Sequence, residues 1–167
     1  NTFSGKTVTM TADVDMADVP FKPIGLAVTS YPGEHFAGTF DGQGHTISGL
    51  YASGYNSTIG LFTGVKTSAL IKDTKLTNSY LESRGFGGVS SFATGGGGNY
   101  EKLYSDAKIN VIGAYSGYAG GICSKMNAIT NIDECWYEGV ITTTGRITGG
   151  ILDDINGSTA TVSHSLF

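Results

Sequence analysis

Aromatic side chains are the residues of this sequence whose type and spacing most directly suggest chemistry. The chain contains nine tyrosines and one tryptophan, and four of the tyrosines crowd between residues 95 and 118. An exposed aromatic ring suits a sugar, because it offers apolar contact together with a polar handle. Since neighbouring side chains of an extended strand point to opposite faces, one of the adjacent Trp136 and Tyr137 must face outward. The predicted ligand-binding residues are Tyr100, Tyr104, Tyr115, Tyr118, Trp136 and Tyr137.

The same tyrosines fall where the sequence is least regular. Four consecutive glycines at residues 95–98 indicate a loop insertion, and loops of repeat proteins commonly carry their binding faces. We therefore predict glycan binding at this irregular repeat. The alternative interpretation remains open that the tyrosines pack on neighbouring strands as ordinary β-surface residues.

Carboxylates could provide a metal site or an acid–base pair. Asp13, Asp15 and Asp18 form the densest acidic group, and Ca²⁺ prefers several oxygen ligands. The spacing does not match a calcium-binding loop, because no Glu closes it, so turn and edge positions explain these residues equally well. Asp41 and His45 are separated by a Gly-Gln-Gly sequence, which is typical of a turn rather than of a catalytic pair. We predict no metal and no cofactor.

An enzyme of the carbohydrate-active β-helix class would need clustered carboxylates for Ca²⁺ and a basic residue at the scissile sugar. The chain has only two arginines, and no Ser/His/Asp or Cys/His constellation follows from the spacing. The sequence therefore predicts a non-enzymatic protein, with a carbohydrate-active enzyme as the distant alternative. Cys123 and Cys135 are the only cysteines, and whether they are buried thiols or form a disulfide stays open.

Composition excludes several partner classes. Charged residues make up 14% of the 167-residue chain and the net charge is −4, which does not suit a protein that tracks nucleic-acid phosphates. A hydrophobic content of 40% excludes general disorder. No apolar run approaches the roughly 20 residues of a membrane helix, so membrane insertion by this segment is not expected.

An internal repeat indicates the architecture that positions these residues. One marker is a small or apolar residue followed by a glycine and an apolar residue, and its regularly spaced copies are Ile59-Gly60-Leu61, Gly87-Gly88-Val89, Gly120-Gly121-Ile122 and Gly149-Gly150-Ile151. A second marker is an apolar residue that recurs at nearly the same interval: Ile71, Leu103, Ile132 and Val162. Two independent markers with one period of about 30 residues are typical of a solenoid.

Short runs rich in Thr, Val, Ile, Tyr and Phe, broken by Gly, Asn, Asp and Ser, predict strands in each repeat. No stretch keeps the apolar spacing of a helix. We therefore predict a parallel β-helix of about five coils, stacked about 4.8 Å apart. The two markers would form two inward ladders, and the glycines would permit a bend that is too narrow for a Cβ atom.

Residues 36–50, F-A-G-T-F-D-G-Q-G-H-T-I-S-G-L, resemble the segment that opens GLUG-motif repeat domains. Residues 59–64 are similar to the Gly-Leu-Phe segment of that family, and residues 12–16 and 21–25 to its lead-in. The resemblance implies a right-handed parallel β-helix from a secreted or cell-surface bacterial protein, such as an adhesin. It implies no catalytic residues.

These observations together predict one β-solenoid domain over residues 1–167, cut from a larger protein. Residues 1–58 would form N-terminal lead-in coils, and residues 59–167 four repeat copies. The expected function is a non-catalytic module for adhesion or ligand presentation, with a passive spacer that displays another domain as the alternative. Expected partners are a glycan or a host or cell-surface protein, and neighbouring domains of the same polypeptide.

Overall fold

Parallel pairing between strands one repeat apart organises the computed structural model of the protein. The structure describes residues 2–25, 35–55, 58–84, 87–113, 117–144, 148–153 and 157–167. These residues contain strands and no helix. The strands are β1 Thr7–Thr9, β2 Val14–Asp15, β3 Thr39–Asp41, β4 Thr46–Ser48, β5 Tyr51–Tyr55, β6 Leu70–Thr77, β7 Tyr80–Arg84, β8 Gly88–Ser90, β9 Ala93–Thr94, β10 Gly98–Ser105, β11 Lys108–Ile112, β12 Tyr118–Gly120, β13 Cys123–Ser124, β14 Thr130–Asp133, β15 Trp136–Tyr137, β16 Ile141–Thr143, β17 Thr148–Gly149, β18 Leu152–Asp153 and β19 Ala160–Ser163.

The strands form four sheets that run along the stack of coils. The large sheet has nine strands and follows the path β1-β3-β6-β10-β14-β19. A second sheet contains β16-β11-β7-β5, and two three-stranded sheets contain β17-β12-β8 and β18-β13-β9. The coils make about four turns of a β-solenoid. The predicted all-β parallel solenoid is therefore confirmed, with about four turns instead of the predicted five coils.

The register of the large sheet shows the repeat directly. One line of paired residues crosses six strands: Thr7, Thr39, Leu70, Asn99, Asn131 and Thr161. Each member of this line lies one predicted repeat after the member before it. The period predicted from the sequence is thus the length of one coil.

A continuous apolar core occupies the space inside the coils. Phe62 is fully buried near its N-terminal end, with its ring centroid 5.0 Å from that of Phe36 and 5.5 Å from that of Phe40. Farther along the stack, Phe92 and Ile122 are also fully buried. Each coil therefore fills the interior with side chains that lie on those of the coil before it.

The first predicted ladder is inward, but its members do not form one column. Leu61, Val89, Ile122 and Ile151 are all buried. Val89 pairs with Ala119, three residues before Ile122, and the register of the neighbouring strands places Phe92 beside Ile122.

The predicted glycine column is wrong for the same reason. Gly121 lies beside Gly150, whose carbonyl accepts a hydrogen bond from the Gly121 N–H at 3.0 Å. Gly88 instead pairs with Tyr118, and Gly60 lies beside Ser90. The coil that contains Gly88 has Ser90 and Ser91 at the bend where the following two coils each have two glycines. Its Gly87-Gly88 pair therefore lies three residues before the true equivalent of the later glycine pairs.

The second predicted ladder needs two corrections. Ile71 and Ile132 lie on one column, but Tyr100 stands between them, and Leu103 pairs with Thr74 instead. Val162 pairs with Ile132 as expected, yet it is 48% exposed rather than inward-packed. It lies on the last strand of the large sheet path, where no further described strand covers it.

Replacing Ile122 by Ala should lower the free energy of unfolding by about 2–5 kcal/mol, because it removes a fully buried side chain from a closely packed column. The matched change Val162→Ala should cost less than about 1 kcal/mol, since this side chain is half exposed. Urea denaturation of both variants measures the difference. Equal losses for the two variants would contradict the observed core.

Candidate ligand-binding groove

A line of left-handed residues bends the strands of the large sheet. Asp73, Lys102, Glu134 and His164 have φ values of 51°, 53°, 50° and 44°. The residues directly before them pair with one another from strand to strand, so the four lie above one another. Residues other than glycine rarely adopt this conformation, at a cost of roughly 1–2 kcal/mol each. Because this conformation recurs at paired positions of successive coils, the bend is a regular feature of the coil. We call these four residues the bend column.

A second line of residues follows the bend and faces outward. Lys75 pairs with Tyr104, and Tyr104 pairs with Trp136. Lys75 is exposed, Tyr104 is partly buried and Trp136 is 48% exposed. These three residues, called the outer column here, stand on consecutive rungs about 4.8 Å apart.

A shallow groove of about 250 Å³ runs between the two columns. Thr74 and Leu103 are almost fully buried and form its floor. The polar and aromatic side chains that line it define what we call the binding groove: Asp73, Lys75, Lys102, Tyr104, Glu134 and Trp136.

Hydrogen bonds and ion pairs fix part of the groove. The Tyr104 hydroxyl donates to Oε2 of Glu138 at 2.9 Å, and this bond raises the pKa of Tyr104. Lys102 Nζ lies 3.9 Å from Oε2 of Glu134, with both side chains more than half exposed. The Tyr104 ring is therefore held in place, whereas the Lys102–Glu134 pair is open to water.

Lys72 partly neutralises the acidic side of the groove. Its Nζ lies 2.9 Å from Oδ2 of Asp41 and 3.1 Å from Oδ2 of Asp73. These two hydrogen bonds raise the pKa of Lys72, and the bond to Lys72 lowers the pKa of Asp41. One lysine charge is divided between two carboxylates, so the charge of Asp73 is compensated only in part.

Two of the predicted binding residues are core residues. Tyr100 is fully buried, and its hydroxyl donates to the Gly97 carbonyl at 2.8 Å. Burial raises its pKa well above the usual range. Tyr137 is buried as well, with its hydroxyl on the Ala107 carbonyl at 2.9 Å. The prediction of a binding role is wrong for both, because alternation along their strands turns them inward.

Two further predicted binding residues do not join the groove. Tyr118 lies on β12, in a different sheet, with Nζ of Lys125 5.4 Å from its ring centroid. Tyr115 falls outside the described residues. The predicted loop insertion also differs from the structure, because Gly96 pairs with Val65 and Asn99 with Leu70, so this stretch is shorter than in the preceding coil.

Tyr104 and Trp136 are therefore the predicted pair that the structure brings together. Sequence reasoning missed Lys75, although Lys75, Tyr104 and Trp136 follow one another at intervals of one repeat. It also missed the bend column. A left-handed Lys or Glu leaves no composition signal, because both residues are ordinary on exposed strands.

A buried carboxylate on the second sheet was also missed by sequence reasoning. Glu82 accepts hydrogen bonds from the Tyr80 hydroxyl at 2.6 Å, Arg84 Nε at 2.9 Å, Asn110 Nδ2 at 2.9 Å and the Ser53 hydroxyl at 3.4 Å. The bond from Tyr80 is the main cause of a lowered pKa at Glu82. Because both carboxylate oxygens are occupied, this cluster links three coils and is not an open site.

The N-terminal carboxylates bind backbone groups, Asp15 within a turn and Asp13 across to the next coil, as the turn-and-edge interpretation of the sequence proposed. Oδ1 of Asp13 accepts the Thr46 N–H at 2.9 Å and lies 3.0 Å from Nδ1 of His45. Oδ1 of Asp15 accepts the Ala17 N–H at 2.8 Å. Among the described residues, no group of three or more His, Cys, Asp or Glu is placed to hold a metal ion.

Asp41 forms the predicted turn. Its Oδ1 accepts the Gln43 N–H at 3.0 Å, while His45 contacts Asp13 instead. Cys123 and Cys135 are free buried thiols. Burial raises the pKa of Cys123 well above its usual range and that of Cys135 to about 12, so neither is an activated nucleophile.

Comparison with known proteins found no matching family model, no matching curated protein and no matching solved structure. The resemblance to GLUG-motif repeats therefore stays a prediction. Within the described part of the chain, no helix is long and apolar enough to cross a membrane.

Replacing Glu82 by Gln should destabilise the protein at pH 7 by about 1–2 kcal/mol, since the amide cannot accept all four hydrogen bonds. The pKa of Glu82 is lowered in the folded state, so its contribution is present above a pH of about 4.5 and is lost as the pH falls through the folded value. The stability of the wild type should therefore fall more steeply below pH 4.5 than that of Glu82→Gln.

Urea titrations between neutral and acid pH measure this difference. The matched control is Glu101→Gln, which replaces an exposed carboxylate on β10. This change should alter neither the stability at neutral pH nor the steepness of its fall in acid. If the stability of Glu82→Gln falls as steeply in acid as that of the wild type, Glu82 is not the cause of this pH dependence.

Excess EDTA should leave the melting temperature unchanged, because Asp13 and Asp15 already accept backbone hydrogen bonds from Thr46 and Ala17. Thermal melts before and after chelation measure this. A loss of several degrees that added Ca²⁺ restores would contradict the expectation and indicate a bound ion.

Proposed function

We propose that this domain is a non-catalytic binding module that holds a glycan in the binding groove. The observation that carries the proposal is the exposed Trp136 on the rung next to Tyr104, at the edge of a groove. Trp136 is the only tryptophan of the chain. Large aromatic rings that stay half exposed beside polar groups are typical of ligand contacts rather than of core packing.

The groove combines the two features that sugar binding needs. Trp136 and Tyr104 lie on one face about 4.8 Å apart, so one sugar ring can contact both. Around them, Lys102 and Glu134 supply donors and acceptors for hydroxyl groups. A pyranose face is apolar and its rim is polar, and this pairing of surfaces matches it.

The scaffold keeps the groove in shape before a ligand arrives. Tyr104 is anchored through Glu138, and the backbone on either side of the bend is paired with neighbouring coils. A preorganised surface loses little conformational entropy on binding, which favours affinity from a small contact area. A secreted or cell-surface setting, as in the bacterial adhesins that the resemblance implies, belongs to this proposal.

A passive spacer is the second candidate. The unbroken register of six strands along the large sheet favours it, because a stack of identical rungs makes a stiff rod without needing a ligand. A carbohydrate-active enzyme remains the distant alternative, and product formation from a bound glycan would reveal it.

Trp136→Ala should weaken glycan binding at least tenfold, because it removes the largest exposed contact surface of the groove. A glycan array identifies a ligand of the wild type, and calorimetry then compares the variants. The melting temperature should change little, since the side chain is half exposed. Tyr118→Ala, on a different sheet, is the matched control and should bind as the wild type does.

Absence of any glycan ligand for the wild type would contradict the binding proposal and leave the spacer as the better candidate. Loss of binding in Tyr118→Ala, with Trp136→Ala unaffected, would place the site on the other sheet.

A further inference from the structure

We infer that the binding groove selects glycans that carry an anionic group, a carboxylate or a sulfate, and that Lys75 binds this group. The inference rests on the proposed glycan-binding function and specifies its ligand class.

The outer column places Lys75 in line with both aromatic rings. Lys75 pairs with Tyr104 on the neighbouring strand, and Tyr104 pairs with Trp136 on the next. With about 4.8 Å per rung, the three side chains follow one straight line along the solenoid. A sugar seated on Trp136 and Tyr104 therefore directs its next unit, or a substituent on that side, toward Lys75.

The charge of Lys75 is available, unlike those of the neighbouring lysines. Lys72 is shared by Asp41 and Asp73, and Lys102 lies near Glu134. Lys75 is exposed and forms no ion pair with any residue that the structure describes.

Asp13 is the carboxylate whose charge is coupled to that of Lys75. The Asp13 carboxylate is already engaged, since it accepts the Thr46 N–H and contacts His45. These two hydrogen bonds, more than Lys75, lower the pKa of Asp13. Lys75 therefore keeps its donors free for a ligand.

An ammonium group favours an anion without excluding a neutral sugar. Charge-assisted hydrogen bonds are roughly twice as strong as neutral ones, so a carboxylate or sulfate at Lys75 adds affinity. A neutral sugar leaves the exposed lysine in water at no desolvation cost. Because the ammonium is a point charge with three rotatable donors, it accepts either anion, and the preference must weaken with salt.

The experiment compares glycans that differ only in charge. The array carries trigalacturonate and its methyl ester, sialyllactose and its methyl ester, and sulfated and unsulfated lactose. The wild type should bind the charged member of at least one pair about tenfold more tightly than its neutral counterpart. The carboxylated and sulfated pairs identify which anion is bound. The preference should largely disappear near 1 M salt, where the screening length is about 3 Å.

Variants assign the preference to Lys75. Lys75→Gln should remove the preference and keep the binding of the neutral member, Lys75→Arg should retain it, and Trp136→Ala should weaken both members. Lys108→Gln, an exposed lysine on the second sheet, is the matched control and should retain the preference. Thermal melts check that each variant is folded.

Equal binding of charged and neutral members by the wild type overturns the inference and leaves the proposed function standing. A preference that survives in Lys75→Gln, or at 1 M salt, also overturns it. Failure of the wild type to bind any member overturns the inference, whereas the proposed function fails only if no glycan of the wider array binds.

Discussion

In-register stacking of the parallel backbone is the constraint on which the rest of this structure depends. Each coil pairs with the next at a spacing of about 4.8 Å, so each residue of a paired strand has a neighbour directly above or below it. Tyr100 is fully buried because Ile71 and Ile132 lie on either side of it in the same column. A position in the column, rather than the chemistry of one residue, decides what is core and what is surface.

The narrow bend between the two small sheets shows how strict this stacking is. A Cβ atom on Gly120 would collide with the Cys123 carbonyl, and one on Gly149 with the Leu152 carbonyl. At the equivalent place in an earlier coil Ser90 is tolerated, and its hydroxyl donates to the Ala93 carbonyl at 2.6 Å. The high glycine content therefore reflects close backbone approach at recurring positions.

The candidate site lies where the strands depart from regular β conformation, and this departure recurs in successive coils. The left-handed bend column turns the strands of the large sheet, and the turn leaves a groove beside the outer column. Trp136 and Tyr137 show the consequence most clearly. They are adjacent in sequence, yet Trp136 borders the groove and Tyr137 packs in the core against Gly121.

The sequence by itself determined the fold class, the repeat period and the inward direction of residues such as Ile122 and Ile151. These properties depend on a periodic pattern of apolar residues and glycines that is visible in one dimension. It did not determine the register within a repeat, which was three residues off at Val89 and Leu103. Only the tertiary structure decided that Tyr100 lies in the core and that Lys75, Tyr104 and Trp136 form one outer column. The reason is that pairing between coils sets the register.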